Sequence, residues 1–146
     1  MFQNILVVCV GNICRSPVAE AMLRAQLPHK QFSSAGLGAR VGEGVDPTAK
    51  QLAEEAGLEV SHHKARQLTT AMLQAADLVL VMSDGQRRAV AELSPTALGK
   101  TMRLGQWLEN GQGKDIPDPY QKSPEAFAHV HQLMDAATRA WATRLG

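Results

Sequence analysis

The sequence predicts an α/β fold, a three-layer sandwich in which a central four-stranded parallel sheet is flanked by helices on both faces. Three observations predict it. Short apolar runs rich in β-branched residues recur along the chain, as they do in strands buried on both faces of a sheet. Segments that open on helix-capping residues lie between these runs, and such alternation favours a parallel sheet. Because no internal repeat or linker interrupts it, we expect residues 1–146 to form a single domain.

Four apolar segments are the predicted strands. The first, residues 4–10, reads NILVVCV and is ended by Gly11 and Asn12. The second leads into a glycine-rich segment, and the third and fourth are equally short. The predicted strands cover residues 4–10, 32–35, 78–82 and 100–104.

Residues suited to N-caps mark the starts of the predicted helices. Ser16 and Pro17 have the residue types of an N-cap and a first helical position, and Asp46 and Pro47 open the next helix by the same chemistry. The predicted helices, with their caps, cover residues 16–27, 46–57, 69–75, 84–93 and 123–145.

The last predicted helix has the clearest pattern. Ser123 is its expected N-cap, Pro124 occupies the first position, and Glu125 complements the helix dipole in the first turn. Apolar residues then recur three or four positions apart, which predicts one stripe facing the core. The stripe consists of Phe127, Val130, Met134, Ala137, Trp141 and Leu145.

The composition is that of a globular protein, with 45% apolar and 20% charged residues. Fifteen basic and 14 acidic residues give a net charge of +1, and the basic residues are scattered, which argues against a nucleic-acid partner. The first apolar run is far shorter than the roughly 20 residues that span a bilayer, and no basic segment precedes it as in a secretory signal. We therefore expect a cytoplasmic protein without membrane insertion, either a monomer or a weak oligomer.

Cysteine and histidine usage gives no sign of a metal site. Two cysteines are too few for a disulfide framework. The five histidines form no cluster with the spacing of metal ligands, and we interpret them as solvated surface residues. We expect neither a metal nor another cofactor.

The loop after the first strand, residues 9–16 with the sequence CVGNICRS, is the candidate functional site. Ligands of open α/β sheets bind outside the carboxyl ends of the strands, and a glycine-containing loop before a helix presents backbone N–H groups to an anion. Arg15 adds a planar fork of donors for two phosphate oxygens. Helix N-termini and guanidinium groups stabilise thiolates, and Ser16 is suited to donate a hydrogen bond to Cys9. The pattern predicts a phosphate-binding loop with Cys9 as nucleophile.

A structural interpretation of the same residues stays open on spacing alone. A free cysteine is most often a small buried apolar residue, and Cys9 and Arg15 can fall six residues apart by chance. The context of strand, glycine loop and proline-containing helix start favours the functional interpretation. The loop is not of the ATP-binding type, because the pattern GxxxxGK[ST] occurs nowhere in the chain.

Five segments spread over almost the whole chain carry a family resemblance. They read ILVVCVGNICRSP, SSAGLGARVGEGVDP, HKARQL, DLVLVM and IPDPYQKSPEAF. Together they resemble the low-molecular-weight protein tyrosine phosphatases, and most closely the bacterial subgroup that works opposite tyrosine autokinases in exopolysaccharide and capsule export. The resemblance implies hydrolysis of phosphotyrosine, with Cys9 as nucleophile, Arg15 as phosphate ligand and Asp118 as general acid. It also implies a phosphotyrosine protein as partner, the tyrosine-rich tail of a membrane-embedded autokinase reached from the cytoplasm.

The implied reaction requires one carboxylic acid near the nucleophile. Thiolate attack on a phosphate monoester forms a phosphocysteine and expels a phenoxide, which leaves more readily as the phenol. Asp118 suits this role because Pro119 stiffens its backbone, and the resulting carboxylate can then take a proton from the hydrolytic water. Asp-Pro-Tyr alone is typical of an ordinary turn, and only its combination with the Cys9 loop favours the catalytic interpretation.

The remaining substrate contacts are expected from the loop and from two other segments. By resemblance, Tyr120 forms one wall of a deep slot in which the phosphotyrosine ring stacks. The opposite wall is expected near Arg40, where eukaryotic members have an aromatic residue, so peptide selectivity stays open. The expected binding residues on the loop are Val10, Gly11, Asn12, Ile13, Cys14 and Ser16.

Cys14 has two interpretations. It is either a small apolar side chain facing the core or a thiol that forms a disulfide with Cys9 after oxidation. A curled loop can bring two Cα atoms within the roughly 4.4–6.8 Å that a disulfide requires.

Three other functions use similar residues. Arsenate reduction on the same fold also begins with cysteine attack on an oxyanion, but it needs further cysteines, and none follows Cys14. A phosphocarrier of a sugar transport system holds a phosphocysteine but has no use for a general acid such as Asp118. A pure phosphotyrosine-binding module has no use for both Cys9 and Asp118. The sequence favours the phosphatase.

Overall fold

The computed structural model describes residues 2–146 and contains the predicted parallel sheet. Within these residues, four strands are hydrogen-bonded side by side in the order β2-β1-β3-β4, and all three pairings are parallel. The strands are β1 (Asn4–Cys9), β2 (Gln31–Gly36), β3 (Leu78–Val81) and β4 (Thr101–Arg103). The α-helices are α1 (Arg15–Gln26), α2 (Pro47–Glu55), α3 (Thr70–Ala75), α4 (Asp84–Leu93) and α5 (Pro124–Leu145).

The sheet separates two hydrophobic cores, which confirms the three-layer prediction. Along β1, Ile5, Val7 and Cys9 face the core shared with α1, α2 and α5. Leu6 and Val8 face the opposite core, to which α3 and α4 contribute. This alternation follows from the two-residue period of a strand, and it explains why the run is apolar throughout.

Most predicted helix starts are confirmed by their capping hydrogen bonds. Asp46 Oδ1 accepts hydrogen bonds from the N–H groups of Thr48 and Ala49 at the start of α2, and Ser123 Oγ accepts one from Ala126 N in α5. The apolar stripe of α5 is buried as far as Trp141. None of the helices within residues 2–146 is long and apolar enough to cross a membrane.

The predicted start of the first helix is wrong. Helix α1 begins at Arg15, and its N-cap is Cys14, whose side chain makes no capping hydrogen bond. Ser16 therefore lies inside the first turn, where its hydroxyl contacts Cys9 and Asn12 instead of the helix backbone. Because no hydroxyl occupies the cap, the first amide groups of α1 stay available to an external anion.

The sequence pattern also does not predict the two 3-10 helices, Pro95–Lys100 and Leu104–Trp107, that flank β4 within residues 2–146. Such helices are too short to show an apolar period of their own. They shorten the fourth strand to three residues, against the five predicted.

Candidate active site

The candidate loop lies at the carboxyl end of β1, an inner strand of the sheet. Cys9 ends that strand opposite Gly36 of β2 and is almost fully buried. The chain then curls, with Asn12 in the left-handed region at φ 58°, and enters α1 at Arg15. A Cβ on Gly36 would lie 2.4 Å from the Val10 carbonyl oxygen, so only glycine lets β2 approach the loop this closely.

A buried hydrogen-bond network positions the Cys9 thiol. Ser16 Oγ lies 2.9 Å from Cys9 Sγ. Asn12 Nδ2 donates to the same Oγ at 2.7 Å and to Ser34 Oγ at 3.0 Å. The Ser16 hydroxyl can accept this bond from Asn12 and still donate its own hydrogen to Cys9 Sγ, which a Cys9 thiolate requires because a thiolate only accepts. The arrangement supports the expectation that Ser16 donates to the nucleophile.

Two residues from the segment before α3 contact the candidate loop at Asn12, on the side away from the cavity. Arg66 N donates to Asn12 Oδ1 at 2.9 Å, and His63 Nε2 lies 2.6 Å from the Asn12 carbonyl oxygen. Since a carbonyl only accepts, Nε2 carries the hydrogen. The interpretation of all five histidines as solvated is therefore wrong for the half-buried His63, and also for His131, whose pKa is lowered by burial.

Arg15 joins the loop to the segment that carries the expected acid. The Arg15 side chain is buried, and its Nη1 donates to the Ile116 carbonyl oxygen at 2.7 Å. Ile116 N donates to Met82 O, just beyond the end of β3, at 2.8 Å. Arg15 Nη2 lies 3.8 Å from Asp118 Oδ2. These contacts bring Asp118 to the loop although the two segments are far apart in sequence.

The Asp118 side chain is half exposed, and its Oδ1 accepts a hydrogen bond from Tyr120 N at 3.0 Å. The buried Pro119 lies between the two residues. This local bond fixes the orientation of the carboxylate and leaves Oδ2 on the side of Arg15.

A cavity of about 170 Å³ opens above the loop. Its lining residues are Cys9, Val10, Gly11, Ile13, Cys14, Arg15, Gly38, Arg40, Asp118 and Tyr120. Asn12 and Ser16, which the sequence analysis expects at the substrate, do not line it; their fully buried side chains lie behind the loop. Gly38, which the sequence pattern does not predict as a binding residue, also lines the cavity.

The two expected walls of the slot meet at the cavity mouth. The guanidinium carbon of Arg40 lies 5.6 Å from the centroid of the Tyr120 ring, within the range of a cation–π contact. Arg40 Nε also donates to both carboxylate oxygens of Glu43.

Cys14 is a buried thiol that also faces the cavity. Cys9 and Cys14 are both free. Burial, and next the charge of Asp46, raise the pKa of Cys14 to about 12, so the thiol is protonated near neutral pH. Cys14 belongs to the larger hydrophobic core, as its packing interpretation requires. Its redox role stays a prediction.

The site residues that the sequence does not predict contact the loop from distant segments. Ser34, His63 and Arg66 belong to the segments SSAGLGARVGEGVDP and HKARQL, which carry the family resemblance, but their spacing gave no sign of a contact with Asn12. Among residues 2–146, no group of three or more histidine, cysteine or carboxylate side chains is arranged to hold a metal ion. Chemically, the cavity combines a thiol, a buried guanidinium and a carboxyl group.

The chain is similar to phosphatases of known sequence and structure. A family model described as low molecular weight phosphotyrosine protein phosphatase matches residues 4–146. The low molecular weight protein-tyrosine-phosphatase Wzb of Escherichia coli strain K12 is 46% identical over 99% of this chain and 97% of its own length. The crystal structure of the tyrosine phosphatase Wzb from E. coli K30 in complex with sulphate has a TM-score of 0.96 at 45% identity and covers 100% of both chains. Vibrio vulnificus Wzb in complex with benzylphosphonate has a TM-score of 0.94 at 47% identity and covers 99% of both.

Proposed function

The chain belongs to the low molecular weight phosphotyrosine protein phosphatase family, and from this premise we propose that it hydrolyses phosphotyrosine in proteins through a phosphocysteine intermediate. Cys9 is the nucleophile, Arg15 the phosphate ligand and Asp118 the general acid. One observation carries the proposal: Asp118, from a distant segment of the sequence, lines the same cavity as Cys9 and Arg15 of the loop. Two relatives of known structure, one in complex with sulphate and the other in complex with benzylphosphonate, support an oxyanion ligand that carries an aromatic group.

The loop binds the phosphoryl group. Its backbone N–H groups and the amide end of α1 surround the anion, and the Arg15 guanidinium donates to two oxygens from the side. The transition state of phosphoryl transfer is loose, so fixed donors around the equatorial oxygens contribute most of the stabilisation. The burial of Arg15 supports this role, since a guanidinium with little solvent around it interacts more strongly with an anion.

The first chemical step forms a bond between Cys9 Sγ and phosphorus and breaks the bond between phosphorus and the tyrosine oxygen. Asp118 gives its proton to that oxygen, so tyrosine leaves as a neutral phenol. In the second step, Asp118 takes a proton from water as the water oxygen attacks phosphorus. The Cys9 thiolate leaves, stabilised by the Ser16 hydroxyl, and inorganic phosphate is released.

Steady-state hydrolysis of p-nitrophenyl phosphate tests the mechanism. Cys9→Ser and Arg15→Ala should each lower kcat by at least ~10³-fold, because an alcohol cannot replace a thiolate and, among residues 2–146, Arg15 is the buried cation at the cavity. Near-normal turnover by Cys9→Ser would contradict the phosphocysteine. Release of phosphate by the wild type distinguishes a phosphatase from a phosphocarrier, a binding module or an arsenate reductase, and activity that persists in EDTA is expected of a site without a metal.

We propose further that the physiological substrate is a bacterial tyrosine autokinase that controls exopolysaccharide or capsule export, met in the cytoplasm. The resemblance of the sequence to that bacterial subgroup supports this, as does the 46% identity to Wzb. A Cys9→Ser variant, which binds substrate but does not hydrolyse it, should retain the autophosphorylated kinase. The same variant should not retain kinase that has been dephosphorylated beforehand. Equal retention of both kinase forms would contradict this assignment.

A further inference from the structure

Arg40 is held in place at the mouth of the cavity. Its backbone N–H donates to the Gly11 carbonyl oxygen at 3.0 Å, and its carbonyl oxygen accepts from Glu43 N at 3.0 Å. The Arg40 side chain then passes over Gly11, since a Cβ built on that glycine would lie 3.8 Å from Arg40 Cγ and Cδ. The guanidinium is therefore fixed against the phosphate-binding loop by backbone and side-chain contacts.

The guanidinium keeps donors for an external partner. Glu43 accepts from Nε at 3.0 and 3.1 Å, and the Tyr120 ring lies on one face of the group. Within residues 2–146, neither Nη nitrogen of Arg40 has a hydrogen-bond partner. With a side chain that is 48% exposed, Arg40 presents the paired donors with which arginine binds a carboxylate.

The surroundings of Arg40 favour a protein segment as the partner. Val10 lines the cavity and is 46% exposed, and Val41, adjacent to Arg40 in sequence, is 69% exposed. A segment that places its phosphotyrosine in the cavity must pass over this rim. Apolar side chains covered by that segment exclude water, and charge interactions beside them are less screened than on an open surface.

We infer that Arg40 recognises a carboxylate next to the phosphotyrosine, so that the site selects phosphotyrosine segments with flanking aspartate or glutamate residues. The inference rests on the proposed function and specifies its substrate class. When the phosphate of a bound phosphotyrosine lies next to Cys9, the tyrosine ring lies between the loop and Tyr120. The substrate backbone then lies at the mouth of the cavity. A neighbouring acidic side chain there meets the free Nη groups of Arg40.

The Glu43 carboxylate acts against a preference for acidic substrates, because it is a negative charge already bonded to Arg40. If the Glu43 carboxylate neutralised Arg40 completely, the mouth would show no preference, or a preference for basic residues. Because Glu43 occupies only Nε, we expect it to weaken the attraction for a substrate carboxylate without abolishing it. The two residues therefore have opposite expected effects on selectivity.

Two matched phosphotyrosine peptides test the inference. One carries aspartate and glutamate within two positions of the phosphotyrosine, and the other carries asparagine and glutamine there. The readout is the ratio of their kcat/KM values, in which any effect common to both peptides cancels. We expect the wild type to favour the acidic peptide by about 3- to 10-fold at low ionic strength, mainly through KM, as for a single ion pair at a rim.

Variants assign the preference to Arg40. Arg40→Met should bring the ratio close to 1, and Glu43→Gln should raise it above the wild-type value. Arg139→Met removes one exposed positive charge from α5, paired with Asp135, and serves as the charge control, with the wild-type ratio expected. The ratio should fall as salt shortens the screening length from about 10 Å at 0.1 M to about 3 Å at 1 M.

The outcomes separate the inference from the proposed function. Hydrolysis of both peptides at equal kcat/KM by the wild type would overturn the inference and leave the phosphatase intact. A preference that survives Arg40→Met, or that falls in Glu43→Gln, would also overturn it. Hydrolysis of neither peptide would overturn the proposed function and the inference together.

Discussion

At the scale of single residues, the proposed general acid Asp118 is a half-exposed carboxylate that is held in one orientation. Its Oδ1 is occupied by the backbone N–H of Tyr120, and its Oδ2 lies 3.8 Å from Arg15 Nη2. The oxygen without a hydrogen bond is therefore the one nearer Arg15, and the leaving tyrosine oxygen is expected on that side. Asparagine keeps the size of the side chain but has no acidic proton.

Asp118→Asn should slow turnover according to the leaving group. For phenyl phosphate we expect a loss of roughly 10²–10⁴-fold in kcat/KM, the usual contribution of a general acid. Esters of acidic phenols should lose much less, since their phenolates leave without protonation. The slope of log kcat/KM against leaving-group acidity measures this, and equal losses across the series would remove Asp118 from the acid role.

The residues proposed to bind or react are recognisable in the sequence because most of them lie on one loop. Cys9 and Arg15 lie on one loop, and Asp118 is marked by the rigid segment around it. His63 and Arg66 could not be predicted, because their contacts with Asn12 form only when the chain folds. A one-dimensional pattern carries no information on such a pair.

At the scale of elements, helix starts were predictable where the capping hydroxyl or carboxylate served only the helix. Asp46 and Ser123 cap α2 and α5 as expected. Ser16 has the same residue type but bonds to Cys9, and the predicted start of α1 is wrong for this reason. The candidate active site therefore includes a residue that the local pattern assigns to capping.

The packing of β2 against the loop gives a prediction at this scale. A methyl group on Gly36 would lie 2.4 Å from Val10 O and 3.1 Å from Asn12 N, so strand or loop must move. Gly36→Ala should destabilise the protein by roughly 1–3 kcal/mol, as overpacking does, and lower kcat by displacing the loop. Chemical unfolding and p-nitrophenyl phosphate turnover measure the two effects.

Gly99→Ala is the matched control for that substitution. A Cβ on Gly99 meets no atom within 4 Å, and this glycine lies in a 3-10 helix that does not line the cavity. Stability and turnover close to wild type are expected. If Gly36→Ala behaved like Gly99→Ala, the close approach of β2 would not constrain the loop.

At the scale of the whole molecule, the two cores share the same sheet. Adjacent residues of β1 belong to opposite cores, so neither core can be lost without disrupting the strand between them. We propose on this basis that residues 1–146 unfold as one cooperative domain. Coincident transitions by fluorescence and circular dichroism are expected.

The stability of the folded domain should depend on Cys14 at alkaline pH. The Cys14 pKa is 9.0 for an unperturbed thiol and about 12 in the folded protein. Between these values the unfolded chain releases a proton that the folded chain keeps. The contribution of Cys14 to stability is therefore complete below pH 9 and is lost as the pH rises towards 12, with a limiting slope of about 1.4 kcal/mol per pH unit.

Comparison of Cys14→Ala with the wild type isolates this contribution, because every other titratable group is the same in both proteins. Free energies of unfolding from urea titrations between pH 8 and 11 should fall less steeply for the variant than for the wild type. Parallel curves would contradict the protonated, buried thiol.

The backbone hydrogen bonds of Ile116 bear on which step of the catalytic cycle limits the rate. Its N–H is bonded to Met82 O beyond β3 and its carbonyl to Arg15, so both backbone groups of the residue two positions before Asp118 are occupied before substrate arrives. A mobile lid must order itself in every turnover, and its closing and opening can limit the rate. The segment before Asp118 is instead ordered once, when the protein folds. We therefore expect turnover to be limited by bond-making and bond-breaking at phosphorus and not by a closing motion.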